Sequence, residues 1–202
     1  MKECFSENNS SSAEFVKNLL PVSPNLTIVE FGGSVGVVAS HAVKRNPKGL
    51  VVIEADRELL DLCRINVNLN NVEDVDVVFL NFAVDYSDAA VTRFIPGATT
   101  TSGQLERTDQ CRGLPMETTT LSQILESQHI DEYVLISDIE GAEADVWFMD
   151  QAALEKCLAM VVELEDTKKY STQDQINQLE ILGFENVYSY GRVFFFSKYN
   201  VA

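Results

Sequence analysis

Ten residues, Thr27 to Gly36 (Thr-Ile-Val-Glu-Phe-Gly-Gly-Ser-Val-Gly), constrain this chain more than any other stretch. Thr27 to Phe31 is a short apolar, β-branched run. Gly32, Gly33 and Gly36 interrupt it, and an apolar segment resumes as far as Arg45, so the pattern predicts strand, tight turn and helix. Glycines in such a turn let a ligand approach bare backbone, and the helix behind them directs free N–H groups toward it. Glu30 places an acid at the end of the strand, where a phosphate would be repelled. A dinucleotide fingerprint starting at Gly32 would also need glycine at 34 and 37, where the chain has Ser34 and Val37. A turn that only packs a helix on a strand is the simpler alternative.

The chain read in order extends this pattern. Residues 1–10 are polar and without periodicity, and Ser11 with Glu14 forms a capping-box pattern that predicts a helix from about Ser12 to Leu20 within an amino-terminal segment, 11–26. After the glycine turn Val35, Val38, Ala39, Ala42 and Val43 recur at helical spacing, ending before Pro47. Leu50 to Ile53 reads as a buried strand closed by Glu54-Ala55-Asp56. Asp56 is placed to cap a helix with Leu59, Leu60, Cys63, Val67 and Leu69 on its apolar face. Further strands are expected from about Val75 to Leu80, Tyr133 to Ser137 and Leu158 to Val162. Helices are expected after Thr120 with Gln123, up to Phe148, and from Thr172 with Gln175 to Leu182. Aromatic-rich strands from Asn186 to Tyr190 and from Arg192 to Tyr199, hinged at Gly191, close the chain. From Ala89 to Pro115 the regularity fails: Ala90 to Ile95 reads as a candidate strand, but Gly97, Gly103, Gly113 and a run of Thr and Ser predict a long loop near the substrate. Strands alternating with helices predict one α/β domain over residues 1–202. Its sheet is a doubly wound, mostly parallel, seven-stranded one with an antiparallel strand from the carboxyl-terminal hairpin.

The net charge of −16 repels phosphates and anionic lipid surfaces. It argues against nucleic acid or a membrane as partner and for a small, neutral or cationic molecule. Cys4, Cys63, Cys111 and Cys157 form no C-x-x-C pair, which argues against a zinc ribbon or redox motif and fits a reducing compartment. The first residues lack an apolar signal core, and no apolar run approaches the roughly 20 residues of a membrane helix, so a cytoplasmic protein is expected. Oligomeric state leaves no mark on the sequence.

Ligands of doubly wound sheets bind beyond the carboxyl ends of the strands. The residues there are Glu30, Glu54, Asn81 to Asp85, Asp138, Glu140, Glu163 and Glu165. Glu54 lies 18 positions after Gly36 and can accept both hydroxyls of a ribose; its alternative use as a helix cap is already met by Asp56. Asp138-Ile139-Glu140-Gly141-Ala142-Glu143 packs three acids into six residues, which could also cap a helix. Asp138 and Glu163, ending adjacent strands, could hold a magnesium ion. His41, mid-helix, and His129, on the opposite rim, are poor candidates for a base.

Glu30, Gly32 and Gly36, spaced acid-x-Gly-x-x-x-Gly, resemble the first motif of class I S-adenosyl-methionine-dependent methyltransferases. The hexapeptide from Asp138 to Glu143 matches the D-[IV]-E-G-x-E motif of the FkbM family. Thr119-Thr120-Leu121, Val161-Val162-Glu163, and Val52-Ile53-Glu54 followed by Leu62, Asn66 and Asn70 are also similar to that family, over about residues 27 to 196. The resemblance implies transfer of a methyl group to a hydroxyl oxygen of a sugar, polyketide or similar metabolite. It implies a cofactor site at Glu30, Gly32, Gly33, Ser34, Gly36, Glu54, Ala55, Ala83 and Asp138, with Asp138 as base or ammonium ligand, Glu163 second and Tyr170 third. Two departures stand out: Ile136 occupies a position where members often have lysine, and Ala55 is followed by Asp56 where many have proline. A nicotinamide-dependent oxidoreductase and a non-catalytic cofactor-binding module are the alternatives.

Overall fold

β1 (Thr27–Phe31) is buried at all five residues, as a strand covered on both faces must be, and its β-branched residues suit that position. It lies at the centre of the sheet. In the computed structural model, which describes residues 25–87, 92–95, 104–106 and 113–198, β2 (Gly49–Ile53) and β9 (Tyr133–Ser137) flank it in parallel. The register sets Val52 and Ile136 on either side of Glu30.

The main sheet runs β11-β12-β10-β9-β1-β2-β3, with β3 at Val77–Leu80, β10 at Cys157–Glu163, β11 at Glu185–Tyr190 and β12 at Val193–Ser197. β12 runs antiparallel to both neighbours, and the other strand pairs in the sheet are parallel. This is the seven-stranded doubly wound sheet expected from the sequence, with the last strand inserted beside the edge.

Helices cover both faces. α1 (Val37–Val43) and α2 (Arg57–Asn70) pack over Ile28, Val52 and Ile136. α3 (Leu121–Ser127), α4 (Glu143–Met149), α5 (Gln151–Leu154) and α6 (Thr172–Ile181) cover Val29, Phe31 and Leu135, with Trp147 buried among them. The caps follow local chemistry: Asp56 accepts the Glu58 and Leu59 amides, and Thr120 and Gln123 form the reciprocal box.

Three details differ from the sequence reading. Leu69, expected on the apolar face of α2, is 76% exposed, because at about 100° per residue it points away from Leu60, Cys63 and Val67. α6 is capped by Ser171 with Asp174 rather than by Thr172 with Gln175. Gln175 is instead buried, accepting from Trp147 Nε1 (3.3 Å) and donating to the Glu165 carbonyl (2.6 Å). Within 89–115, β5 (Thr92–Ile95) falls on the candidate strand, and β6 (Gln104–Glu106) and β7 (Leu114–Met116) join it in a small antiparallel sheet where only loop is expected. β4 (Ala83–Val84) pairs with β8 (Thr118–Thr119) beside it. The expected amino-terminal helix and the rest of 89–115 fall outside the described residues. Among those residues no helix is long and apolar enough to cross a membrane.

Candidate active site

The three glycines of the turn are wedged against the protein itself. A Cβ on Gly32 would stand 2.1 Å from the Asp138 carbonyl oxygen, one on Gly33 2.3 Å from Val52 Cγ1, and one on Gly36 2.9 Å from Cys63 Sγ. The turn's amides are also engaged: Gly32 and Gly33 donate to the Ile53 carbonyl and Gly36 to Gly33. The close approach that the glycines permit is therefore to β2, β9 and α2. Packing accounts for the lack of side chains at these glycines, and what distinguishes the turn is the side chains around it.

Those side chains are acids. Glu54, at the end of β2, is buried and accepts the Ser34 amide on Oε2 and the Asp56 amide on Oε1, both at 2.8 Å. Its carboxylate thus ties the glycine turn to the next loop. Burial raises its pKa against the lowering effect of these amides. Asn81 Nδ2 holds the Glu54 and Ala55 carbonyls, each at 2.9 Å, and so fixes that loop from β3. Glu30 is buried beneath the turn with Oε2 unpartnered. Burial first, then the Glu54 charge, push its pKa up to about 8.

Asp138 follows β9 on the opposite side of the turn. Its amide donates to the Phe31 carbonyl (3.1 Å), but its carboxylate has no hydrogen-bond partner among the described residues. Burial, then Glu163 and Glu140, raise its pKa to about 6. Glu143, the last acid of the hexapeptide, is buried in the first turn of α4 and accepts the Ile139 amide, which shapes the loop. Its other oxygen is unpartnered, and burial lifts its pKa to about 7. Glu140 adopts a left-handed conformation (φ +57°), and its pKa is raised by partial burial and Glu163.

Glu163 sits differently from Asp138. Arg192, at the head of β12, reaches its Oε1 at 3.1 Å and also bonds Glu165. In the sequence Arg192 reads only as the start of a strand. Its role could have been suspected from an arginine directly after the Gly191 hinge, facing a strand that ends Glu-Leu-Glu. Beyond Arg192 a cleft of about 340 Å³ opens between Leu164, Glu165, Asp166, Thr172, Gly191 and Phe194. Tyr170 stacks on Phe148 with ring centroids 3.8 Å apart.

The turn, Glu30, Glu54, Ala55 and Asp138 are thus assembled on one rim by β1, β2 and β9. Ala83 is less available: it is buried in β4, and its amide donates to the Glu117 carbonyl. A magnesium site at Asp138 and Glu163 does not fit, since the Arg192 guanidinium already occupies Glu163. Among the described residues no group of three or more His, Cys, Asp or Glu side chains could hold a metal ion. A cationic nucleoside fits better: an unpartnered buried carboxyl oxygen and two further carboxylates suit hydroxyls and an ammonium.

Residues 30–190 match the family described as the methyltransferase FkbM domain. No curated protein matches the chain significantly. Among solved structures, an NADB-Rossmann superfamily protein from Streptococcus agalactiae is similar at 13% identity and a TM-score of 0.52, with 94% of this chain and 67% of that one aligned. Ribosomal protein L11 methylase from Lactobacillus delbrueckii subsp. bulgaricus is similar at 14% identity and a TM-score of 0.51 (92% and 75%). A candidate O-methyltransferase from Klebsiella pneumoniae aligns at 12% identity and a TM-score of 0.53 (96% and 84%). At these identities the likeness is one of fold.

Proposed function

Since the chain belongs to the FkbM methyltransferase family, we propose that it transfers a methyl group from S-adenosyl-methionine to a hydroxyl oxygen of a small metabolite such as a sugar or polyketide, with Asp138 as the base. The observation that carries this reading is the ring of Glu30, Glu54 and Asp138 around the glycine turn. Three carboxyl groups gather there, Glu30 within electrostatic reach of Glu54 and Asp138, and a cofactor bearing positive charge suits them better than one bearing phosphates.

S-adenosyl-methionine, when bound, supplies a methyl carbon activated by a sulfonium. Glu54 takes the ribose hydroxyls, held in place by the Ser34 and Asp56 amides. Asp138 accepts the acceptor hydroxyl's proton on its unpartnered carboxylate. With a pKa near 6 it is mostly ionised at neutral pH and still basic enough to help. Glu163 is the weaker candidate because Arg192 neutralises it. The rest of the acceleration comes from positioning and from excluding water. The acceptor enters from the cleft beside Arg192.

Calorimetry with S-adenosyl-homocysteine and with NAD tests the cofactor: binding of NAD alone would end the methyltransferase reading in favour of an oxidoreductase. Transfer of label from methyl-labelled S-adenosyl-methionine to hydroxylated metabolites tests the reaction. Cofactor binding without transfer to any of them would favour a non-catalytic module.

A further inference from the structure

We propose that docking of the cationic nucleoside expels a proton that Glu30, placed in the cofactor site by the reading above, carries in the free protein. The proposal rests on the cofactor reading above and adds to it a proton that the binding step must release.

Glu30 is almost wholly buried, and its Oε2 has no hydrogen-bond partner. Its in-register neighbours, Val52 and Ile136, are apolar. The groups facing it from the packed elements are the Ala39 amide in α1, the Cys63 thiol in α2, Glu54 at the end of β2 and Asp138 at the end of β9. None of them carries positive charge. An ionised carboxylate in such surroundings, without a cation, costs on the order of several kcal/mol. The free protein therefore holds Glu30 as the neutral acid, in agreement with a pKa pushed up to about 8.

A ligand bearing an ammonium and a sulfonium reverses the local field. The exchange balances: the Glu30 O–H bond breaks, the proton leaves to solvent, and the carboxylate remains opposite the incoming cation. No redox partner or further reactant is needed. This also divides the labour on the rim. With Glu30 and Glu54 serving the cofactor, Asp138 is left free to take the acceptor's proton.

The sign of the linkage follows. The ligand favours the ionised form, and most free molecules are protonated below pH 8, so affinity rises by up to about tenfold per pH unit from pH 6 toward 8. The cofactor's own amino group titrates near that upper limit, and Asp138 near 6 and Glu143 near 7 also contribute. The decisive quantity is therefore the difference between the wild type and Glu30→Gln, a neutral isostere.

Calorimetry of S-adenosyl-methionine binding at pH 7, in buffers of unlike ionisation enthalpy, counts the protons released. The expected result is about one proton more for the wild type than for Glu30→Gln. Equal counts would overturn the proposal while leaving the cofactor reading intact, and absence of binding at every pH would overturn both. Carbon-13 spectra of the labelled glutamate carboxyls need no variant. One buried carboxyl should titrate near pH 8 in the free protein and stay ionised across that range with cofactor bound, and a carboxyl whose titration the cofactor leaves unchanged would overturn the idea.

Discussion

Gly32 and Asp138 lie so close that no side chain fits between them: a Cβ on residue 32 would stand 2.1 Å from the Asp138 carbonyl oxygen. The contact joins the ends of β1 and β9, which are also linked by the Asp138 amide and the Phe31 carbonyl. Gly32→Ala adds a clash with backbone to the strain of a left-handed conformation (φ +83°), so we expect a loss of about 3 kcal/mol or more. Gly191→Ala has the strain (φ +59°) but nothing within 4 Å of the new methyl, and should cost only about 1 kcal/mol. Denaturant unfolding of the two variants measures the difference.

Asp138→Asn should keep the fold and lower the rate of methyl transfer by about 10²- to 10⁴-fold, the range over which a positioned base contributes. In the wild type the rate should rise with pH through about 6, since the carboxyl group acts only once ionised. A pH profile of turnover, once an acceptor is found, checks both statements. A flat profile across that range would remove Asp138 from the role.

Arg192 lowers the Asp138 pKa, and Glu163 raises it. Arg192→Gln should therefore move the acid limb of the profile to higher pH, and Glu163→Gln should move it lower. Arg192 is 63% exposed, so its pairs with Glu163 and Glu165 should add no more than about 1 kcal/mol to stability. Opposite shifts of the limb with nearly unchanged melting temperatures are the expected signature.

Glu54→Gln keeps one acceptor oxygen but replaces the other with a donor that would face an amide, either Ser34's or Asp56's. The turn should loosen, and affinity for S-adenosyl-homocysteine should fall by about 10- to 100-fold, the loss of one or two charge-assisted bonds. Titration calorimetry at constant pH measures it.

The main sheet was legible because local signals agreed with the fold. The run from Thr27 to Phe31, the Asp56 cap, the Thr120 box and the closing aromatic hairpin all predict the elements observed. The acids on the rim were legible too, because a strand's last residue is necessarily at the rim. The uses to which side chains are put were hidden. Nothing local to Gly32, Gly33 or Gly36 tells that Asp138, Val52 and Cys63 fill the space beside them. Gln175 reads as a cap until Trp147 and Glu165 are brought beside it. Arg192 meets Glu163 only because β12 turns back antiparallel to β10. Each of these depends on pairing across distant segments, which a single sequence does not display.

Buried acids set the expected pH dependence of stability. Burial pushes the pKa values of Glu30 and Glu143 in the folded chain up to about 8 and 7, from 4.5 for an ordinary glutamate. Below about 4.5 both folded and unfolded chains hold these protons. As pH rises the unfolded chain gives them up first, so stability falls until the folded groups ionise near 7 and 8. Asp166 and Asp174 act in the opposite sense: amide and hydroxyl donors hold them below the usual carboxylate range, and their contribution is lost as pH falls through it. The melting temperature should therefore peak near pH 5 and decline toward pH 8. In Glu30→Gln, which has no proton to lose at that site, the decline should be shallower. Thermal melts of both proteins across pH 4 to 9, at fixed ionic strength, check this, and parallel curves would show that Glu30 is ionised in the folded chain throughout.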